Sequence, residues 1–150
     1  MNPSLSNRSL YSFFALSAVL FSCCFIVSCG SSAKSVQLAK DSVGMFHAQL
    51  DTEQYNAIYQ GADEKFHSAS TEGDFTKLLQ AIHSKLGTVK EANLRNTGVA
   101  WFAGQGASVT LVYDTKFTEG SGTEQFVWHI KDDRAALYGY HINSNDLISK

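Results

Sequence analysis

His129 and Asp114 are the two side chains of this chain whose types and placement most suggest chemistry, because a carboxylate that orients an imidazole makes an acid–base unit. In the strand pairing argued below, His129 opposes Val112 and Asp114 lies diagonal to it on the same sheet face. That face is the one turned to solvent, so the pair is expected to be polar surface and no catalytic residue is assigned. The other histidines offer less. His47 and His83 sit on helices beside core positions, and His67 and His141 lack a ligand partner in sequence, so no metal site is expected. The three cysteines stand at positions 23, 24 and 29, leaving the rest of the chain without a thiol nucleophile or a disulfide framework. Gly104-Gln105-Gly106 lacks the Lys-Ser/Thr and the following helix of a phosphate loop and reads as a hairpin turn. No Gly-x-Ser-x-Gly, His-Glu-x-x-His or Cys-x-x-Cys occurs, and no cofactor is implied.

The elements that must position these residues divide into a helical first half and a strand-rich second half. Val36, Ala39, Val43, Phe46 and Leu50 recur every three or four residues, which predicts an amphipathic helix over about residues 34–50. Asp51 and Thr52 can cap a second helix with the face Tyr55, Ile58, Tyr59 and Ala62. Thr71-Glu72-Gly73-Asp74 approximates a capping box. Phe75, Leu78, Leu79, Ile82 and Leu86 follow on one stripe, and Gly87 stands where a C-cap belongs.

From Thr88 the period becomes two. A first strand runs from Val89 to Leu94, extendable to Phe102. Val109, Leu111, Tyr113 and Phe117 alternate in a second, and Phe126, Trp128 and Ile130 in a third. A four-residue turn, Glu119–Gly122, pairs Tyr113 with Trp128 and Leu111 with Ile130. Asp132-Asp133 turns the chain into Ala135–Ile142. Helices followed by consecutive short-turned strands make an α+β domain, with the helices packed on one face of a curved four-stranded antiparallel meander.

Composition bounds the function classes. Hydrophobic residues make up 44% and charged residues 17%, a globular balance, and the net charge of −2 leaves no basic surplus for nucleic acid. Residues 1–12 hold a single charged side chain, Arg8, and Phe13–Val27 is an uncharged apolar run of signal-peptide length. Its exit, Ile26-Val27-Ser28-Cys29, resembles the bacterial lipobox. The resemblance implies lipidation of Cys29, removal of residues 1–28, a tether over residues 29–35 and a single domain over 36–150. Leu20-Phe21-Ser22-Cys23 is a competing match with the bulky Phe21 two positions before its cysteine. The bland alternatives are an uncleaved anchor or a non-lipidated signal with a fortuitous cysteine. The implied location is the cell envelope, with the outer membrane favoured where there is one, since Gly30 is not the aspartate of inner-membrane retention.

The element order resembles the cystatin-like and nuclear transport factor 2-like cone folds. More closely, the stretches from Phe46 to Gly87, Val109–Tyr113, Glu124–Trp128 and Leu137–Tyr140 resemble small bacterial domains of unknown function. That resemblance implies a fold and transfers no catalytic residue. Tyr55, Tyr59, Tyr113, Phe126 and Trp128 could line the apolar pocket of such a cone or simply fill its core. Positions 109, 111, 113, 126, 128 and 130 hold no Asp, Glu, His or Lys, so a non-enzymatic binding domain for a protein, glycan or small apolar ligand is expected over a pocket isomerase or dehydratase.

Overall fold

The computed structural model describes residues 28–149, with side chains from residue 31. Residues 1–27 of the expected signal segment 1–28, Cys23 among them, lie outside the described residues, as does the side chain of Cys29. Every contact below lies within the compact unit Lys34–Lys150.

Helix α1 (Ser28–Asp51) begins before the expected residue 34, so the segment expected as a tether forms its first turns. Its buried stripe is Ala39, Val43, Phe46 and Leu50, with Ser42 Oγ returning a hydrogen bond to the Leu38 carbonyl. Asp51 and Thr52 do not cap the next helix. Asp51 accepts from the Val89 backbone N–H at 2.9 Å and Thr52 donates back to the Ala48 carbonyl at 2.7 Å, so both serve the end of α1. Helix α2 (Tyr55–Gln60) starts after Gln54 without a side-chain cap. A short helix absent from the sequence reading, α3 (Glu64–Ala69), is capped by Asp63. Helix α4 (Glu72–Leu86) follows the expected signature: Thr71 Oγ1 accepts from the Asp74 N–H and donates to the Asp74 carboxylate. It ends at Gly87, where φ is +81° and an added Cβ would lie 1.8 Å from Thr118 Oγ1.

Strands β1 (Val89–Phe102), β2 (Gly106–Phe117), β3 (Ser121–Lys131) and β4 (Arg134–Asn143) pair in sequence order as an open antiparallel sheet. The molecule is α+β, and a final short helix, α5 (Asn145–Ser149), was not expected.

The β2–β3 register differs from expectation. The turn is Phe117–Gly120, so Tyr113 pairs with Glu124, Leu111 with Phe126 and Val109 with Trp128. The end of α4 holds this turn in place, since Thr118 N–H bonds the Thr88 carbonyl and Glu119 N–H bonds the Leu86 carbonyl. The turn centre moves by two residues. An even slip keeps each side chain on its expected face while changing its partner.

Helices and sheet enclose one core. Phe46 of α1 packs 5.1 Å from Phe126 and 4.9 Å from Tyr140, and Phe75 of α4 packs 4.8 Å from Phe66. In β4, Leu137 and Tyr140 could not both face inward with unbroken alternation. A bulge opposite Val127 and Trp128 takes up Tyr138 and resets the phase.

Candidate functional site

Two polar clusters share strand β3, one on each face. On the covered face Glu124 is fully buried. Thr115 Oγ1 donates to its Oε2 at 2.5 Å, Tyr140 Oη donates to its Oε1 at 2.7 Å, and His47 Nε2 lies 2.8 Å from Oε2. Burial, followed by the negative charge of Glu124, pushes the Tyr140 hydroxyl well above its ordinary value, so it stays a donor. The apolar alternation that marks the inward face of β3 begins at Phe126 and so does not reveal this cluster. Glu124 is the preceding position of the same alternation. Glu124 itself lines neither of the two depressions described below, although its partner Thr115 borders the wider one.

On the other face stands His129, and its partner is Asp63. Its Nδ1 is 2.8 Å from Asp63 Oδ2, and its Nε2 is 2.6 Å from the Gln105 carbonyl oxygen. Val112 is not opposite His129; Ser108 is. Asp114 instead accepts from Thr123 Oγ1 at 3.0 Å and lies 3.6 Å from Arg95, so the expected His129–Asp114 pair does not form. Three elements deliver the observed pair. Asp63 is fixed as the cap of α3, where its Oδ1 accepts from Lys65 N–H, while its own N–H bonds the Leu137 carbonyl. Gln105 is presented by the β1–β2 turn. That turn is built on Gly104 and Gly106, both at positive φ, and a Cβ at Gly106 would meet the Ile130 carbonyl at 2.2 Å.

The protonation of His129 follows from its partners. A carbonyl oxygen accepts only, and so does an ionised carboxylate, so these partners favour the imidazolium, in which both ring nitrogens donate. The hydrogen bond to Asp63, then that to Gln105, raises the His129 pKa above 6.5. Burial pushes the Asp63 carboxyl up, but the bonds from His129 and from Lys65 N–H outweigh it and hold the group below its ordinary value.

His129, Asp63, Gln105 and Ser108 line an open groove of about 320 Å³, with Lys65, Lys131, Phe102 and Tyr138 around them. Lys65 Nζ lies 5.9 Å from the centre of the Tyr138 ring, and the His129 ring meets the same tyrosine edge-on. Three positive groups thus face one carboxylate between two aromatic walls. A wider polar depression of about 560 Å³ lies at the other end of the sheet, around Asn93, Thr123 and Asn143. Several of its polar groups bond one another: Thr123 to Asp114, Ser121 N–H to Asp146, and Ser144 to the Ser121 carbonyl.

Of the expected pocket residues, Tyr55, Tyr113, Phe126 and Trp128 are buried in the core and Tyr59 is half-buried, its hydroxyl donating to the Ser70 carbonyl. None of the five lines either depression. Among the described residues, no group of three His, Cys, Asp or Glu side chains converges as metal ligands would.

Residues 44–140 match a family described as proteins of unknown function, DUF4019. The chain belongs to this family. The matched stretch of this DUF4019 chain holds every residue of both polar clusters on β3. No curated protein matches it.

Proposed function

We propose that this chain is an exported lipoprotein, anchored through Cys29, whose cone-like domain (cystatin-like or nuclear transport factor 2-like) binds a small anionic ligand with an apolar ring or chain in the His129 groove. The observation behind this reading is the charge of the groove: Lys65, Lys131 and the His129 imidazolium against Asp63 alone, with Phe102 and Tyr138 as apolar walls. Binding fits the groove better than catalysis. Both ring nitrogens of His129 are engaged by protein acceptors, so neither is free to take or give a proton to a bound molecule. An isomerase or dehydratase working inside the cone would have to use Glu124, whose oxygens already meet three side chains.

Export and anchoring rest on the uncharged run Phe13–Val27 and on Ile26-Val27-Ser28-Cys29. Among the described residues, no helix is long and apolar enough to cross a membrane. The envelope location, with the outer membrane favoured where there is one, follows from the same segment and from Gly30.

Two measurements test the reading. Cys29→Ala should abolish fatty-acid labelling, whereas labelling that persists there and vanishes in Cys23→Ala would move the anchor. An aryl carboxylate should bind more tightly than its matched neutral amide, and Lys65→Ala or Lys131→Ala should each weaken the carboxylate by about fivefold, as exposed charge contacts do. Equal affinity for acid and amide would contradict an anion site.

A further inference from the structure

The β1–β2 hairpin has no part in the core at its tip. Along β1 every residue from Asn93 onward is exposed, with Trp101 at 53% and Phe102 at 54%. Residues 96–113 contain no Asp, Glu, Lys, Arg or His, in a chain of which 17% is charged. The β2 half of this stretch is uncharged because Ala107, Val109, Leu111 and Tyr113 lie in the core. The β1 half and the tip face outward, and an exposed tip with two adjacent aromatics is an unusual surface for a protein surrounded by water on all sides.

The placement of the two rings tells what could cover them. Trp101 pairs with Ala107, on the helix-covered side of the sheet, and Phe102 pairs with Gly106, so consecutive side chains put one aromatic on each face of the tip. A protein partner docked on one face would reach only one of them. A second copy adding its strand along the β1 edge would likewise leave the end of the hairpin in water. A bilayer interface surrounds an inserted tip and accepts both, and tryptophan in particular settles at headgroup level.

The chain's own path puts that interface in reach. The β1–β2 and β3–β4 turns lie at the same end of the meander, two strand spacings or about 10 Å apart. Lys34, in α1, bonds Asp133 of the β3–β4 turn at 2.6 Å. Cys29 precedes Lys34 by five residues, which span no more than about 18 Å of chain. A lipid at Cys29 therefore holds this end of the domain, and not the Val89–Phe117 end, against the membrane. Charges here are mixed, Lys34, Lys131 and Arg134 beside Asp132 and Asp133. Attraction to anionic lipid would thus contribute little and aromatic burial most.

We propose that the tip of the β1–β2 hairpin inserts into the lipid interface beside the anchored N-terminus, led by Trp101, with Phe102 at the border between the lipid and the His129 groove. The orientation rests on the Cys29 anchor proposed above; the affinity of the aromatics for lipid does not. The chain has only two tryptophans, and Trp128 is buried, which makes Trp101 a separable reporter. The protein as isolated from membranes is reconstituted into phosphatidylcholine vesicles with and without chain-brominated phosphatidylcholine, and tryptophan emission is recorded. Trp101 emission should shift to the blue and lose most of its intensity to the brominated chains, while Trp101→Phe, which leaves Trp128 alone, should show neither change. Raising the salt should leave the quenching in place. If acyl labelling shows the anchor present and Trp101 still emits as in water, the insertion is wrong and the lipoprotein reading stands. If the label is absent and Trp101 is quenched all the same, the insertion stands without the anchor. Quenching that survives intact in Trp101→Phe, or a doubled mass in solution that Trp101→Ser reverses to a monomer, would also overturn it.

Discussion

Glu124 and His129 stand on the same strand and solve opposite problems. Glu124 points under α1, where no water reaches it, and its oxygens meet Thr115, Tyr140 and His47. His129 points to the open face, where its two N–H groups tie the cap of α3 and the β1–β2 turn to the sheet. The first cluster is closed and joins α1, β2, β3 and β4 through one side chain. The second is used up at the ring itself but surrounded by free surface, with Lys65, Lys131, Phe102 and Tyr138 still able to meet a ligand. A buried carboxylate is costly unless its oxygens are hydrogen-bonded, and the bonds that satisfy Glu124 occupy the atoms an outside molecule would need. On the proposed reading, recognition falls to the face where charges remain in contact with solvent.

The contrast can be broken most forcefully at Glu124. Glu124→Ala leaves His47, Thr115 and Tyr140 without their shared acceptor in a dry interior, and should cost about 3–5 kcal/mol in a denaturant titration. That is at least the about 2–5 kcal/mol expected of Leu79→Ala, a purely apolar deletion from the same core. A loss under 1 kcal/mol would mean that the cluster is not an anchor of the fold.

A smaller effect, with a distinct signature, is expected at His129. Its folded pKa lies above 6.5, so its contribution is fully present below that value and is lost as pH rises through the higher, folded value. Asp63 has the opposite sign: its lowered pKa gives stability that disappears only in acid, below its ordinary 3.8. Stability should therefore decline by about 1 kcal/mol from just below neutral pH upward, the modest size reflecting the solvent-screened groove. His129→Gln should flatten that decline and shrink the acid limb as well, because His129 is one of the groups that hold Asp63 low. A slope unchanged in the variant would assign it to another group.

The smallest effect belongs to Asp114. It is exposed, bonded to Thr123 and 3.6 Å from Arg95, and Asp114→Ala should change stability by only about 0–1 kcal/mol.

How much of this could be read in the sequence depends on the range of the interaction. Helix α4 was legible because its signals are local: Thr71 and Asp74 at one end, Gly87 at the other, and a stripe between them. The alternation of Val109, Leu111, Tyr113 and of Phe126, Trp128, Ile130 gave the inward face correctly even with the turn displaced, because the slip was even. The partners of β3 were another matter. Glu124 sits in the same phase as Phe126 and was available to inspection, but a carboxylate at a core position reads as an interruption until Thr115, Tyr140 and His47 are seen around it. Asp63 is 66 residues from His129 and caps a six-residue helix too short to leave a periodic trace. Only the long-range path of the chain brings the two together, with Ala62 bridging to Leu137. The Tyr138 bulge, which supplies one wall of the groove, has no local signature beyond the broken phase between Leu137 and Tyr140.

The separation of an anchoring interior from a recognising groove is tested most directly by mapping an aryl carboxylate onto the folded protein by nuclear magnetic resonance, following side-chain and backbone shifts at saturation. The account predicts that perturbations gather at Phe102, Ser108, His129, Lys131 and Tyr138 while His47, Thr115, Phe126 and Tyr140 stay unmoved. Shifts concentrated at Glu124 and its partners, with the groove silent, would contradict it and make the interior of the domain the working site.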